Sequence, residues 1–192
     1  RGTMIKDKRD NGKSERNETL KSILNNYKGD RKRALKEHPD LETLYDLSDL
    51  RENLLEWYPF REGTRLLQVG SGYGALTGVY SEKAAQVDVL DPDAGDLEVN
   101  ELRQKQYEGR ENIRYIQDDY ILHYPAGNYD AVMMIYCDMG THSDQERDTL
   151  LHHIFDSLTE GGKLIFCFYR RAYQRQTGRK KLGIQSIRRL LE

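Results

Sequence analysis

Residues Thr64 to Thr77 read Thr-Arg-Leu-Leu-Gln-Val-Gly-Ser-Gly-Tyr-Gly-Ala-Leu-Thr, and this stretch restricts the fold more than any other. Arg65 to Val69 is a short apolar run of the kind that forms a strand buried on both faces. It breaks at Gly70-Ser71-Gly72-Tyr73-Gly74, and a helix-like segment starts at Ala75. Strand, glycine-rich turn and helix together open a βαβ unit of the nucleotide-binding kind. Glycine is required in such a turn because the backbone enters positive φ, and because a Cβ would hold a ligand away from the main chain. The helix that follows offers amide groups with no partner inside it. A glycine-spaced turn alone also serves as a plain tight turn, so the remaining chain has to decide.

The chain has 192 residues and is 37% hydrophobic, enough for one good core plus appendages. Its apolar runs fall short of the roughly 18 residues of a membrane span, and its N-terminus lacks the apolar core of a signal peptide. Cys137 and Cys167 both sit in apolar runs, which predicts reduced, packed thiols in a cytoplasmic protein. Arg1-Gly2-Thr3 before Met4 reads as a remnant ahead of the natural start. Charge is unevenly placed. Residues 1–38 carry 12 Lys/Arg against 6 Asp/Glu, residues 170–192 carry 8 against 1, and residues 39–169 hold 10 against 25. Basic ends on an acidic middle suit contact with nucleic acid, or ends that fold back on the acidic core. No aromatic base-stacking platforms interleave the basic ends.

In chain order, residues 1–17 read as a polar, flexible basic tail. Residues 18–60 read as a helical segment. Leu20, Ile23, Leu24, Tyr27 and Leu35 mark helices interrupted at Gly29 and stopped at Pro39. Leu41, Leu44, Tyr45, Leu47 and Leu50 mark another helix, and Ser48 is the expected N-cap of a further one with Leu50, Leu54, Leu55 and Trp57 on its apolar face. Residues 61–192 form the core domain. After the glycine loop, a helix to Lys83 leads to a second strand, Gln86 to Leu90, that ends at Asp91-Pro92. Asp91 lies about twenty residues past the loop, where a carboxylate can accept from both vicinal hydroxyls of a ribose. It could instead cap the next helix, as could Asp93 or Asp96.

Leu97 to Tyr107 reads as a helix closed by Gly109, and Asn112 to Ile116 as a third strand followed by Gln117-Asp118-Asp119-Tyr120. The adjacent acids sit at the rim where α/β sheets take ligands, and one of them suits an adenine amino group. Ala131 to Cys137 is the most apolar strand and ends in Asp138-Met139-Gly140-Thr141-His142. Asp144 to Leu158 is an amphipathic helix, Gly161-Gly162 its expected terminator, and Lys163 to Phe168 a fifth strand. A basic loop and a short helix, Ile184 to Leu191, close the chain. Strands alternating with helices predict an α/β fold with a doubly wound, mostly parallel sheet.

Together, Gln68-Val69-Gly70-Ser71-Gly72-Tyr73-Gly74, Asp91, Gln117-Asp118-Asp119-Tyr120 and Leu158-Thr159-Glu160-Gly161-Gly162-Lys163-Leu164-Ile165-Phe166 resemble the class I S-adenosylmethionine-dependent methyltransferases. Arg51 to Phe60 and Ile135-Tyr136-Cys137-Asp138 look like bacterial small-molecule or glycan-associated members. The resemblance implies a Rossmann-like core, S-adenosyl-L-methionine as cofactor, and a small-molecule or glycan-type acceptor. Gly70, Ser71, Gly72 and Gly74 would then back the methionine part. Asp91, followed by Pro92, would hold the ribose, and Asp119 with Tyr120 would meet the adenine, with Asp118 in reserve.

Two features depart from that pattern. The family's loop opens on an acid where this chain has Gln68, an amide that can still accept from the cofactor's ammonium without the charge assistance that makes such bonds roughly twice as strong. Family sheets also carry a sixth and seventh strand, which the residues after Tyr169 do not supply. A truncated chain, a minimal domain, or a homodimer or other partner completing the sheet would account for that. Methyl transfer needs proximity and alignment, and for some acceptors a base. Asp138 and His142, with Tyr136 lining the pocket, are the candidates. The Asn/Asp-Pro-Pro-aromatic signature is absent, which argues against adenine or glutamine-amide methylation, and Cys137 lacks the proline of cytosine-carbon enzymes, which argues against a covalent thiol mechanism. His152-His153 point to different helix faces with no acid cluster, so no metal is expected. Two other readings compete: a non-catalytic cofactor-binding or interaction domain, and an NAD-binding oxidoreductase, since Gly70, Gly72 and Ala75 also satisfy the looser dinucleotide fingerprint.

Overall fold

Five short apolar runs become five strands: β1 (Arg65–Val69), β2 (Gln86–Asp91), β3 (Ile113–Gln117), β4 (Tyr129–Met134) and β5 (Leu158–Phe166). The computed structural model describes residues 2–122, 127–135 and 143–167. Every strand pairing is parallel, and the order is β3-β2-β1-β4-β5. The chain winds outward from β1 to β3 and returns to the other side of β1 with β4. The strand order therefore reverses between β1 and β4, where a doubly wound sheet opens its ligand crevice.

Side chains alternate along the strands, and both faces are covered. Leu66, Val87, Val89 and Met133 pack on one face with Val79 and Tyr80 of α4 (Thr77–Lys83) and Leu97 of α5 (Ala94–Gln104). Leu67, Val69, Leu90 and Val132 pack on the other with Leu150 and Ile154 of α6 (Asp144–Ser157). Ser143 caps α6 in a reciprocal box with Glu146.

The N-terminal segment is a cap of three helices, α1 (Gly2–Tyr27), α2 (Arg31–Glu37) and α3 (Leu41–Leu47). The outer face of α5 receives it: Val99 and Leu102 pack with Leu20, Ile23, Leu24, Ala34 and Leu47. Lys28 and Gly29, both at positive φ, end α1, and Asp30 and Asp40 cap α2 and α3. The polar stretch before Glu18, read from sequence as a flexible tail, continues α1. Lys13 bridges to Asp93 at 2.7 Å and Asp96 at 3.0 Å, and Arg16 reaches Asp46. Core acids far away in sequence order this helix, and no local pattern announces them.

Three further expectations are corrected. Ser48 is the C-cap of α3, its N–H bonding Leu44 O, and only a 3₁₀ turn, Glu52–Leu54, follows. Of its expected apolar face Leu55 is buried, whereas Leu50, Leu54 and Trp57 are exposed. Gly161-Gly162 do not end α6; Leu158 caps it, and both glycines lie inside β5, in a stretch that leaves register between Tyr129↔Leu158 and Ala131↔Lys163. Cys167 is an exposed thiol just past β5, because the strand's packed positions end at Phe166. Cys137 and the expected helix over 184–191 lie outside the described residues.

Candidate functional site

The glycine loop leaves β1 at the reversal point and turns with Gly70, Gly72 and Gly74 at φ of 73°, 47° and 74°. Its glycines are not equivalent. A Cβ on Gly74 would overlap the Asn100 side chain, so that glycine is required by packing. Nothing lies within 4 Å of the place a Cβ would take on Gly72, so there the loop leaves room beside its backbone. Such a gap beside a glycine-rich turn is what close approach of a ligand to the main chain requires.

Asp91, at the end of β2, clasps the loop. Its Oδ2 accepts from Ser71 N at 2.7 Å, Ser71 Oγ at 3.2 Å and Gly72 N at 3.2 Å, while Oδ1 accepts from Asp93 N at 3.1 Å. Asp93, not Asp91, caps α5 by accepting from Asp96 N. Asp91 thus sits beside the loop backbone, 5% exposed, with exposed Pro92 next to it. Asp118 and Asp119 lie half-buried after β3, where Asp119 Oδ1 accepts from Ile121 N at 2.8 Å and shapes the turn. Tyr120 is buried in the α6-side cluster. Tyr136, Asp138 and His142 lie outside the described residues.

Gln68 is nearly buried on the α4 side of β1, and a chain of hydrogen bonds sets its orientation. Arg110 can only donate, and it donates to Gln104 Oε1 at 2.5 Å. Gln104 Nε2 therefore donates to Asn100 Oδ1 and to Gly74 O, Asn100 Nδ2 to Thr77 Oγ1, and the Thr77 hydroxyl to Gln68 Oε1 at 2.8 Å. The acceptor that the sequence assigns to a cofactor ammonium is shared with Thr77. That bond commits one lone pair of the Gln68 carbonyl, while its amide N–H makes no hydrogen bond among the described residues.

A cavity of about 210 Å³ opens at this end of the sheet, bounded by Gln68, Gly70, Gly72 and, after β4, Ile135. Ser71, Tyr73, Ala75 and Leu76 continue the wall on the loop side, and facing them are Tyr45 and Asp46 of α3 and, just beyond α3, Arg51. Arg103, 1% exposed, fixes that wall by donating to Asp46 O at 2.8 Å and to Leu47 O and Tyr73 O at 3.4 Å. Burial pulls the Arg103 guanidinium down to about 10. Burial likewise raises the Asp46 carboxyl, against the pull of Arg16, whose Nε and Nη2 donate to its Oδ2 at 2.9 and 2.8 Å. Sequence reading missed these cap residues. The available signal was an acid, Asp46, set between Tyr45 and Leu47 in an apolar stripe. A second recess of about 280 Å³ lies between residues 58–64 and the irregular part of β5. It opens at the amino ends of β1 and β4, away from the end where such sheets take ligands.

Residues 66–162, just over half of the chain, match the family described as methyltransferase domain. The chain belongs to that family. No curated protein matches it by sequence. Among solved structures, the N-methyltransferase NodS from Bradyrhizobium japonicum WM9, in complex with S-adenosyl-L-homocysteine, aligns with a TM-score of 0.60 at 20% identity, over 67% of this chain and 64% of NodS. Phosphoethanolamine N-methyltransferase 1 from Haemonchus contortus aligns with a TM-score of 0.57 at 22% identity, over 79% of this chain and 32% of that one. The glycopeptide N-methyltransferase MtfA aligns with a TM-score of 0.52 at 19% identity, over 60% and 50%. The chain thus spans less than two thirds of the first of these. Its fold is that of the class I S-adenosylmethionine-dependent methyltransferases, whose cofactor is S-adenosyl-L-methionine.

Proposed function

We propose that this protein transfers the methyl group of S-adenosyl-L-methionine to a small-molecule or glycan-type acceptor. The observation that carries the reading is the glycine loop at the β1/β4 reversal, clasped by Asp91 and open along Gly72. Gly70 and Gly72 would line the methionine part, Asp91 the ribose and Asp119 the adenine. The sulfonium supplies an already activated methyl group when bound. The protein's share of the work is alignment and exclusion of water, with Asp138 and His142 as the residues proposed to take the acceptor's proton and Tyr136 to line the pocket. The similar structures named N-methyltransferases make amines the first acceptors to assay.

Calorimetric titration with S-adenosylhomocysteine, with NAD in parallel, tests the cofactor. Saturable binding of the first alone is expected; binding of NAD alone overturns the reading. A panel of amine and hydroxyl acceptors, assayed for S-adenosylhomocysteine release, then separates an enzyme from a domain that only binds.

A further inference from the structure

The family's loop acid is replaced by Gln68, and Gln68 has its carbonyl turned to Thr77. A zwitterionic ligand tail in this cavity would meet at position 68 a neutral amide whose carbonyl already serves Thr77, and would need a charged partner from elsewhere. Two charged side chains among the described residues line the same cavity, and both come from the cap. One is an acid and one a base. Both Arg16 bonds to Asp46 fall on Oδ2, and among the described residues Oδ1 has no partner. The Arg51 guanidinium stacks 4.3 Å from the centre of the Tyr45 ring and donates to Tyr45 O at 2.6 Å, which holds it against the same wall. Arg103 anchors the backbone beneath them, so acid and base are set by the core rather than by a mobile surface helix.

We propose that the charged contacts to the amino-acid end of the cofactor come from the cap, Asp46 taking the ammonium while Arg51 and the Gln68 amide take the carboxylate. The inference rests on the cofactor reading above. It explains why position 68 can be neutral: the acid has moved from the loop to α3, and its charge-assisted bond goes with it. It also gives the cap a function beyond packing, since the cap carries both charges that line the cavity beside the glycine loop.

The test compares two ligands, S-adenosylhomocysteine and 5′-methylthioadenosine, which share the nucleoside and thioether but differ in the amino-acid tail. Calorimetry is run on the full chain. Asp46→Asn and Arg51→Gln are each expected to weaken S-adenosylhomocysteine about ten-fold, the size of one charge-assisted hydrogen bond. Methylthioadenosine affinity should stay within about two-fold, because it makes neither contact. Gln68→Glu should restore S-adenosylhomocysteine binding in the Asp46→Asn background, since the introduced carboxylate would keep one oxygen on Thr77 and turn the other to the cavity. Unchanged S-adenosylhomocysteine affinity in Asp46→Asn overturns the proposal. So does equal weakening of both ligands, which marks a merely structural residue. Failure of the unaltered protein to bind either ligand instead removes the cofactor reading beneath it. Thermal unfolding of each variant identifies any that fail to fold, and the rescue by Gln68→Glu then decides.

Discussion

The glycine loop and the N-terminal cap enclose one cavity, yet they are held by different means. The loop is held by its own backbone: positive φ at three glycines, amides clasped by Asp91, and Gly74 pressed on Asn100. The cap is held by side chains that reach across to the core. Lys13 meets Asp93 and Asp96, Lys21 meets Glu98, and Arg103 reaches up into α3 from below. Leu41, Leu44, Leu50, Leu54 and Trp57 stay exposed on it. A backbone-built loop can be disrupted only by changing its glycines or its clasp. A wall built from ion pairs and one buried arginine depends on pH and on single side chains.

The largest expected effect breaks the loop side. Gly74→Ala combines positive-φ strain with displacement of Asn100 and should cost more than about 3 kcal/mol in urea unfolding. Gly72→Ala, with open space around its Cβ, should cost about 1 kcal/mol while weakening S-adenosylhomocysteine binding. Equal stability losses at the two positions would show that both glycines serve only the turn. On the cap side, Arg103→Met leaves buried carbonyls of Asp46 and Leu47 without their donor and should cost about 3 kcal/mol. Hydrogen exchange should then quicken in α1 to α3 while β1 stays protected. Uniform quickening would mean that cap and core open as one unit.

The next effect is a pH dependence confined to the joint between α1 and α5. Burial raises the Asp96 carboxyl from an ordinary 3.8 to about 6, against the pull of Lys13. Between those values the folded state keeps a proton that the unfolded chain has released, so this group's contribution to stability falls as pH rises through the window. Asp96→Asn removes that term. The stability of the variant relative to the unaltered protein should therefore increase from pH 4 to pH 7, and a flat difference would exclude Asp96 as the source. The smallest effect belongs to the exposed pairs. Arg33–Glu37 and Lys105–Glu101 are surface contacts one helical turn apart, and Glu37→Gln or Glu101→Gln should leave the urea-unfolding midpoint indistinguishable from that of the unaltered protein.

The sequence alone determined the sheet. Short apolar runs separated by helical segments left one economical solution, a parallel doubly wound layer, and Gly70 to Gly74 with Asp91 marked the carboxyl ends of β1 and β2, where such sheets take ligands. These signals are local, because strand burial and positive φ leave marks in neighbouring residues. Tertiary structure decided the rest. That residues 12–17 continue a helix depends on Asp93 and Asp96 more than seventy residues away. That Gln68 turns its carbonyl to Thr77 depends on Arg110, four hydrogen bonds distant through Gln104, Asn100 and Thr77. That Asp46 and Arg51 face the glycine loop depends on a buried arginine from α5. Hydrogen-bond direction and charge pairing are properties of partners, and the spacing of residues along the chain does not encode which partners the fold will bring together.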